Sequence, residues 1–190
     1  MNFKHLALAC ATLAGLAATP AHAAFSGAYD ASHWSTSGNG NGSAAISADA
    51  TTLTLTSADF TPDDSPGATT LDYSITLATA TTISFDWSYL SDDDSSTSDP
   101  FGYAINGVST QLSQDGQAGF VEQDGSVKLT LNAGDVFSFE ASSVDSIFGA
   151  STATVSDFSA VGAVPEPTRL ALLLAGLGLL AGAARRRRQG

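Results

Sequence analysis

The chain has 190 residues, 19 acidic against seven basic, with a formal net charge of −12, three histidines and one cysteine. So acidic a chain excludes nucleic acid and anionic lipid as surface partners, and a single cysteine excludes an intramolecular disulfide framework. The first element is an export signal. Lys4 and His5 precede an apolar run from Leu6 to Ala18, Thr19-Pro20 breaks it, and Ala21 and Ala23 place small residues at −3 and −1 of a signal-peptidase site before Ala24. Cys10 lies inside the apolar run, with Ala7 where a lipobox carries leucine, so it does not read as a lipoprotein cysteine and leaves with the signal peptide 1–23.

Residues 24–164 hold 18 of the 19 acids and one of the seven bases, Lys128, a formal −17. Ser and Thr make up 42 of these 141 residues, and no stretch has a helical period. Alternation dominates instead. Leu53 and Leu55 alternate with threonines; Leu71, Tyr73, Ile75 and Leu77 alternate with polar residues; so do Ile83, Phe85, Trp87 and Tyr89, then Val127, Leu129 and Leu131, then Phe137 and Phe139. Each run is the period-2 signature of a strand with one buried face. Asn106-Gly107 between two such runs predicts a type I′ hairpin, and 62–67 reads as a loop. About eight strands are expected, drawn from runs near 43–48, 52–57, 69–77, 81–90, 101–105, 108–112, 126–131, 136–141 and 152–161. The fold class is all-β: an antiparallel β-sandwich or jelly roll over 24–161. Trp87 is the expected core anchor, joined by Phe60, Phe137, Phe139 and Phe158. Tyr29, His33 and Trp34 either cap one end of the sandwich or line an exposed sugar-stacking patch.

The chain ends on Val164-Pro165-Glu166-Pro167, an apolar run from Leu170 to Ala184, and Arg185–Arg188. The 15 apolar residues span roughly 22 Å, short of a hydrocarbon core of about 30 Å. Thr168 and the snorkelling stems of Arg169 and Arg185 extend the membrane helix to 168–184. Four arginines favour the cytoplasmic side, which puts 24–164 across the inner membrane.

This tail, 162–190, resembles the PEP-CTERM sorting signal of Gram-negative bacteria. The resemblance implies that Pro165, Glu166 and Pro167 are the motif recognised by exosortase, a membrane protease. It also implies release to the cell surface or an extracellular matrix, often with exopolysaccharide as a neighbour. The physical reading agrees. Two prolines lack the backbone N–H, resist helix and set an extended segment beside the bilayer, a form a protease can bind. Residues 27–160 loosely resemble a recurring PEP-CTERM passenger: Gly27…Tyr29…Trp34, Phe85-Asp86-Trp87-Ser88-Tyr89, Asp92–Asp94, Phe101–Gly107 and Gly134–Phe139. That resemblance implies a fold but no activity.

Nucleophile–base catalysis has little to work with. The mature chain has no cysteine, and its one histidine, His33, lies near the N-terminus without a nucleophile-elbow motif. Paired carboxylates would suffice for a glycosidase, but nothing singles out Glu122 or Glu140. The chain is therefore expected not to be an enzyme. The loop 91–99 packs Asp92, Asp93, Asp94 and Asp99 among serines and threonine. Its hard oxygens suit Ca²⁺, with Asp92, Asp94 and Asp99 as the candidate ligands; the alternative is a hydrated turn, and no other cofactor is expected. Two functional readings follow. One is an exported structural or interaction protein of the cell surface, processed by signal peptidase and exosortase. The other is a carbohydrate-binding module, Ca²⁺-assisted or not, which needs an exposed aromatic platform among polar groups.

Overall fold

The computed structural model describes residues 24–162. The signal-peptidase site at Ala21 and Ala23, the sorting motif 165–167 and the membrane helix 168–184 lie outside the described residues. Within them no helix is long and apolar enough to cross a membrane.

Two short 3-10 turns, Gly27–Tyr29 and Ala31–His33, precede ten strands: β1 (Ser35–Gly38), β2 (Ser43–Ile46), β3 (Leu53–Thr56), β4 (Thr69–Thr76), β5 (Thr81–Ser91), β6 (Phe101–Ile105), β7 (Val108–Gln111), β8 (Gln123–Leu131), β9 (Val136–Ser143) and β10 (Ser151–Gly162). They form two five-stranded sheets, ordered β1-β4-β9-β6-β7 and β2-β3-β10-β5-β8. Every strand pairing is antiparallel. This is the expected sandwich. The alternating residues of β4, β5 and β9 face inward, and Ile83, Phe85, Tyr89, Phe137, Phe139 and Val155 are fully buried between the sheets. Asn106 and Gly107 take φ of 52° and 78°, the type I′ turn their sequence calls for.

The departures have physical reasons. Ser35–Gly38 forms an edge strand that alternation misses, because all four residues are exposed. In β10 a bulge lies between Ser156 and Ser159, with Asp157 at φ 49°. The extra residue reverses the facing, so Val155 and Phe158 both point inward although they are three apart. Trp34 is not a surface aromatic. It is buried, stacked on Tyr73 at 5.0 Å, and its Nε1 donates to the Tyr29 carbonyl at 3.0 Å. Phe25, unmarked by any alternation, is buried and stacks on Phe158 at 4.7 Å. Phe60 is only half-buried, on a loop, and stands outside the core cluster.

The two ends of the sandwich differ. Tight connections at 47–52, 77–80, 106–107 and 132–135 crowd one end, along with both limits of the described residues. There the N–H of Phe25 donates to Ala50 and Gly162 pairs with Thr81. The opposite end carries the long loops 57–68, 92–100, 112–122 and 144–150. These hold ten carboxylates and no Lys, Arg or His.

Candidate functional site

The long-loop end is built around the continuation of β5. After Ser91 the chain keeps its two neighbours. Asp92 N–H donates to Ala150 on one side; on the other, Phe120 N–H donates to Ser91 and Gly119 N–H to Asp94. Glycine permits this close approach. A Cβ at Gly119 would overlap the Asp93 carbonyl, and one at Gly149 would come within 2.7 Å of the Asp92 carbonyl. Beside these glycines stand two phenylalanines, Phe120 and Phe148, 67% and 71% exposed. Both hold positive φ, 63° and 72°, a region unfavourable for a bulky side chain. Asp92 and Asp94 are exposed.

A cleft of about 280 Å³ is lined by Trp87, Leu112, Gln114, Gln117 and the run from Val121 to Asp124. Trp87 forms part of its lining. The indole lies against Gly125 of β8, where a Cβ would meet the ring at 2.9 Å, and tilts against Phe101 at 6.0 Å. Trp87 is 9% exposed. No group among the described residues accepts a hydrogen bond from its Nε1, yet that atom is not sealed in. Ser151 Oγ is the only buried side-chain polar atom there without a partner.

The cleft wall is fixed in advance. Gln114 N–H donates to Gln123 Oε1 at 2.6 Å, and Gln123 Nε2 donates back to the Gln114 carbonyl at 3.2 Å. Ser96 Oγ donates to that same carbonyl at 2.7 Å and accepts from Gln117 N–H at 3.1 Å. These bonds tie the loop 112–122 to the acidic loop and leave the side chains of Gln114, Gln117, Glu122 and Asp124 to the cleft. Chemically this is a set of planar amides and carboxylates beside an indole. Such groups suit a polyhydroxylated ligand with one apolar face.

Beneath the loops lies a polar nest. Asp99 is 0% exposed; it accepts from Ser57 Oγ at 3.2 Å and Ser91 Oγ at 3.3 Å, while Tyr89 Oη donates to its backbone carbonyl at 2.8 Å. Burial pushes the Asp99 carboxyl up to about 6, although Ser143, Ser57 and Ser91 pull the other way. Burial likewise pushes the Tyr89 phenol up to about 12. Of the three candidate Ca²⁺ ligands, the fold thus buries Asp99 and leaves Asp92 and Asp94 at the surface. Among the described residues no three His, Cys, Asp or Glu side chains gather on one point.

Of the remaining sequence candidates, Tyr29 and His33 line a second cleft of about 440 Å³ at the tight-turn end, with Ile75 and Leu77 among its apolar walls. Glu140 sits on the outer face of the other sheet, directly across the strand pair from Asp72. Burial raises its carboxyl, and Asp72 adds to the shift. Glu122 and Glu140 are thus apart, one in the loop cleft and one on a sheet face. Phe120 and Phe148 escaped the sequence reading because they stand alone in aperiodic loops. Their adjacency to glycine, in Gly119-Phe120 and Phe148-Gly149, was the available signal.

No family model and no curated protein matches the chain. Among solved structures it is similar to a family 61 carbohydrate-binding module in complex with β-1,4-galactotriose, at 9% identity over 68% of this chain and 88% of that one, with a TM-score of 0.36. It is also similar to the N-terminal cellulose-binding domain of β-1,4-glucanase C from Cellulomonas fimi, at 13% identity, 69% and 89% coverage and a TM-score of 0.37. A third similar structure is the family 11 carbohydrate-binding module of a cellulosomal cellulase from Clostridium thermocellum, at 9% identity, 69% and 88% coverage and a TM-score of 0.34. The likeness is one of β-sandwich architecture.

Proposed function

We propose that residues 24–162 are a polysaccharide-binding module, exported and presented at the cell surface, and that the loop-end cleft is its binding site. The observation that carries this reading is the cleft itself, in which the Trp87 indole meets the amides of Gln114, Gln117 and Gln123 and the carboxylates of Glu122 and Asp124. A purely structural passenger has no use for two exposed phenylalanines held at positive φ, since such backbone strain costs roughly 1–3 kcal/mol per residue. The tail resemblance supports the setting: signal peptidase and exosortase as processing enzymes, transient anchoring in the inner membrane, and extracellular polysaccharide as the partner. The test is affinity gel electrophoresis of the secreted protein against a panel of soluble polysaccharides. Retardation by at least one glycan, lost in Phe120→Ala and Gln117→Ala but kept in His33→Ala, is expected. Unretarded migration with every glycan would defeat the proposal, and loss only in His33→Ala would move the site to the Tyr29 cleft.

A further inference from the structure

Beyond glycan binding, we propose that the cleft of about 440 Å³ at the tight-turn end is the docking site of the chain's own segment 163–167, Ala-Val-Pro-Glu-Pro, with Glu166 beside His33. The chain leaves the described residues at the mouth of this cleft. Gly162 pairs with Thr81, whose Oγ1 accepts from Tyr29 Oη at 3.3 Å, and a Cβ on Gly162 would lie 3.8 Å from Thr79 Oγ1. Tyr29 and Thr79 both line the cleft. Four residues beyond Gly162 reach at most about 14 Å, so Glu166 stays within that distance of the mouth.

The cleft matches that segment in backbone, lining and charge. β1 pairs with β4 only as far as Ser35 and Ser74, because the chain before it turns away: Trp34 N–H donates to Ala31 and His33 N–H to Asp30. β4 runs on to Thr76. Leu77 bonds Asp135 and Gly134 on the β9 side, so by the alternation of the ladder Thr76 turns its N–H and carbonyl to the edge where β1 has ended. No backbone group among the described residues meets them there. A strand added at an edge turns every second N–H toward its neighbour, and proline is tolerated at the intervening positions. Pro165 and Pro167 are two apart, which leaves the N–H groups of Val164 and Glu166 for that edge. Ile75, Leu77 and the exposed Val136 give the cleft apolar walls suited to Val164 and Pro165. Its lining holds His33 and not one Asp or Glu, on a domain with 18 acids. Asp30, in the same turn as His33, stands outside the lining, and its carboxylate accepts from Ser32 N–H at 3.0 Å. The acidic remainder of the surface repels Glu166; the imidazole N–H of His33 is a donor for its carboxylate. While docked, Pro165, Glu166 and Pro167 are covered by the domain, and a protease meets them only after undocking.

The experiment is disulfide trapping in the full chain, held in detergent micelles. A Cys10→Ser background leaves no other cysteine to compete. His33→Cys with Glu166→Cys is compared with Thr82→Cys with Glu166→Cys. Thr82 pairs with Val161 beside the exit, so a segment that is not docked reaches it as readily as it reaches position 33. After reduction and mild reoxidation, the bridge between 33 and 166 should close within one chain at least tenfold faster than the bridge between 82 and 166, read by gel mobility and mass. Adding Val164→Asp, a change outside the folded domain, should bring the two rates together and leave the melting temperature of the reduced protein in place. Equal rates, faster closure of the control pair, or no closure of either pair overturns the docking. Bridges that join two copies and rise with protein concentration would give the cleft to a neighbour's segment, and also overturn it. Each of these outcomes is independent of glycan binding, which is measured at the opposite end of the sandwich.

Discussion

Asp99 is a carboxylate buried among serines with no basic residue in its loops, and that arrangement makes stability depend on pH in a calculable way. Its folded value, pushed up to about 6, stands above its ordinary 3.8. The neutral acid is therefore the form the fold prefers. The associated stability is fully present below the unfolded value and is lost as pH rises through the folded one. A shift of roughly two units corresponds to a ceiling of about 3 kcal/mol. Between pH 7.5 and pH 5 the protein should regain about 1–2 kcal/mol of it. Other carboxylates titrate over the same range, so the comparison is with Asp99→Asn, a neutral side chain of the same shape. In EDTA the variant should melt above the wild type at pH 7.5, and the gap should narrow by roughly 5 °C at pH 5. Thermal unfolding followed by circular dichroism reads this directly. A gap of constant width across the pH range, or a variant less stable at pH 7.5, would refute the reasoning that burial disfavours the ionised Asp99.

Three further outcomes are expected. Trp87→Ala should cost about 3–5 kcal/mol of stability, against a domain total of about 5–15 kcal/mol, whereas Phe120→Ala should stay within about 0.5 kcal/mol; paired urea titrations separate the two. Gly125→Ala should push the indole out of its seat, because the new methyl would lie 2.9 Å from Trp87 Nε1, so glycan binding should fall more than stability does, as read by affinity electrophoresis beside a melting curve. If the acidic loop takes Ca²⁺, millimolar Ca²⁺ should raise the melting temperature above that in EDTA, by about 2.7 kcal/mol at a hundredfold excess over Kd; NaCl should not reproduce the shift, and Asp92→Asn with Asp94→Asn should abolish it.

The strands were legible because half-buried strands write their geometry as alternation. Leu71, Tyr73 and Ile75 or Phe85, Trp87 and Tyr89 can face one way only if the chain is extended. Asn106-Gly107 was legible because few residue pairs accept two positive φ values in succession. β1 was not, since a polar edge strand has no buried face to encode. Trp34 was ambiguous for a related reason: one aromatic among glycines and serines carries no period, and only its stack on Tyr73 decides its side. The candidate cleft was invisible as a unit. Trp87 comes from β5, Gln117 and Val121 from the loop after β7, and Asp124 from β8. No local pattern links residues that only the strand order brings together. The nest around Asp99 shows the same limit. Sequence proximity grouped Asp99 with Asp92 and Asp94, while the fold pairs it with Ser57, which lies 42 residues away.

The direction of the chain ties the proposed binding end to the proposed sorting tail. β10 starts at Ser151 beneath the long loops and ends at Gly162 beside the tight turns. Its 12 residues cover about 40 Å at the usual rise per strand residue. A protein tethered by whatever follows Gly162 therefore holds Phe120, Phe148 and the Trp87 cleft at the end away from the tether. Binding should then not depend on release. Replacing Pro165, Glu166 and Pro167 together with alanine should leave uncleaved, membrane-bound protein that retains the arginine tail, measured by membrane fractionation and mass spectrometry. Spheroplasts displaying that variant should capture labelled glycan as the released wild type does, and the mature N-terminus should remain Ala24. Normal release of the triple variant would refute the sorting assignment. Release blocked and capture lost together would mean that the tethered loop end is not free, against the geometry of β10.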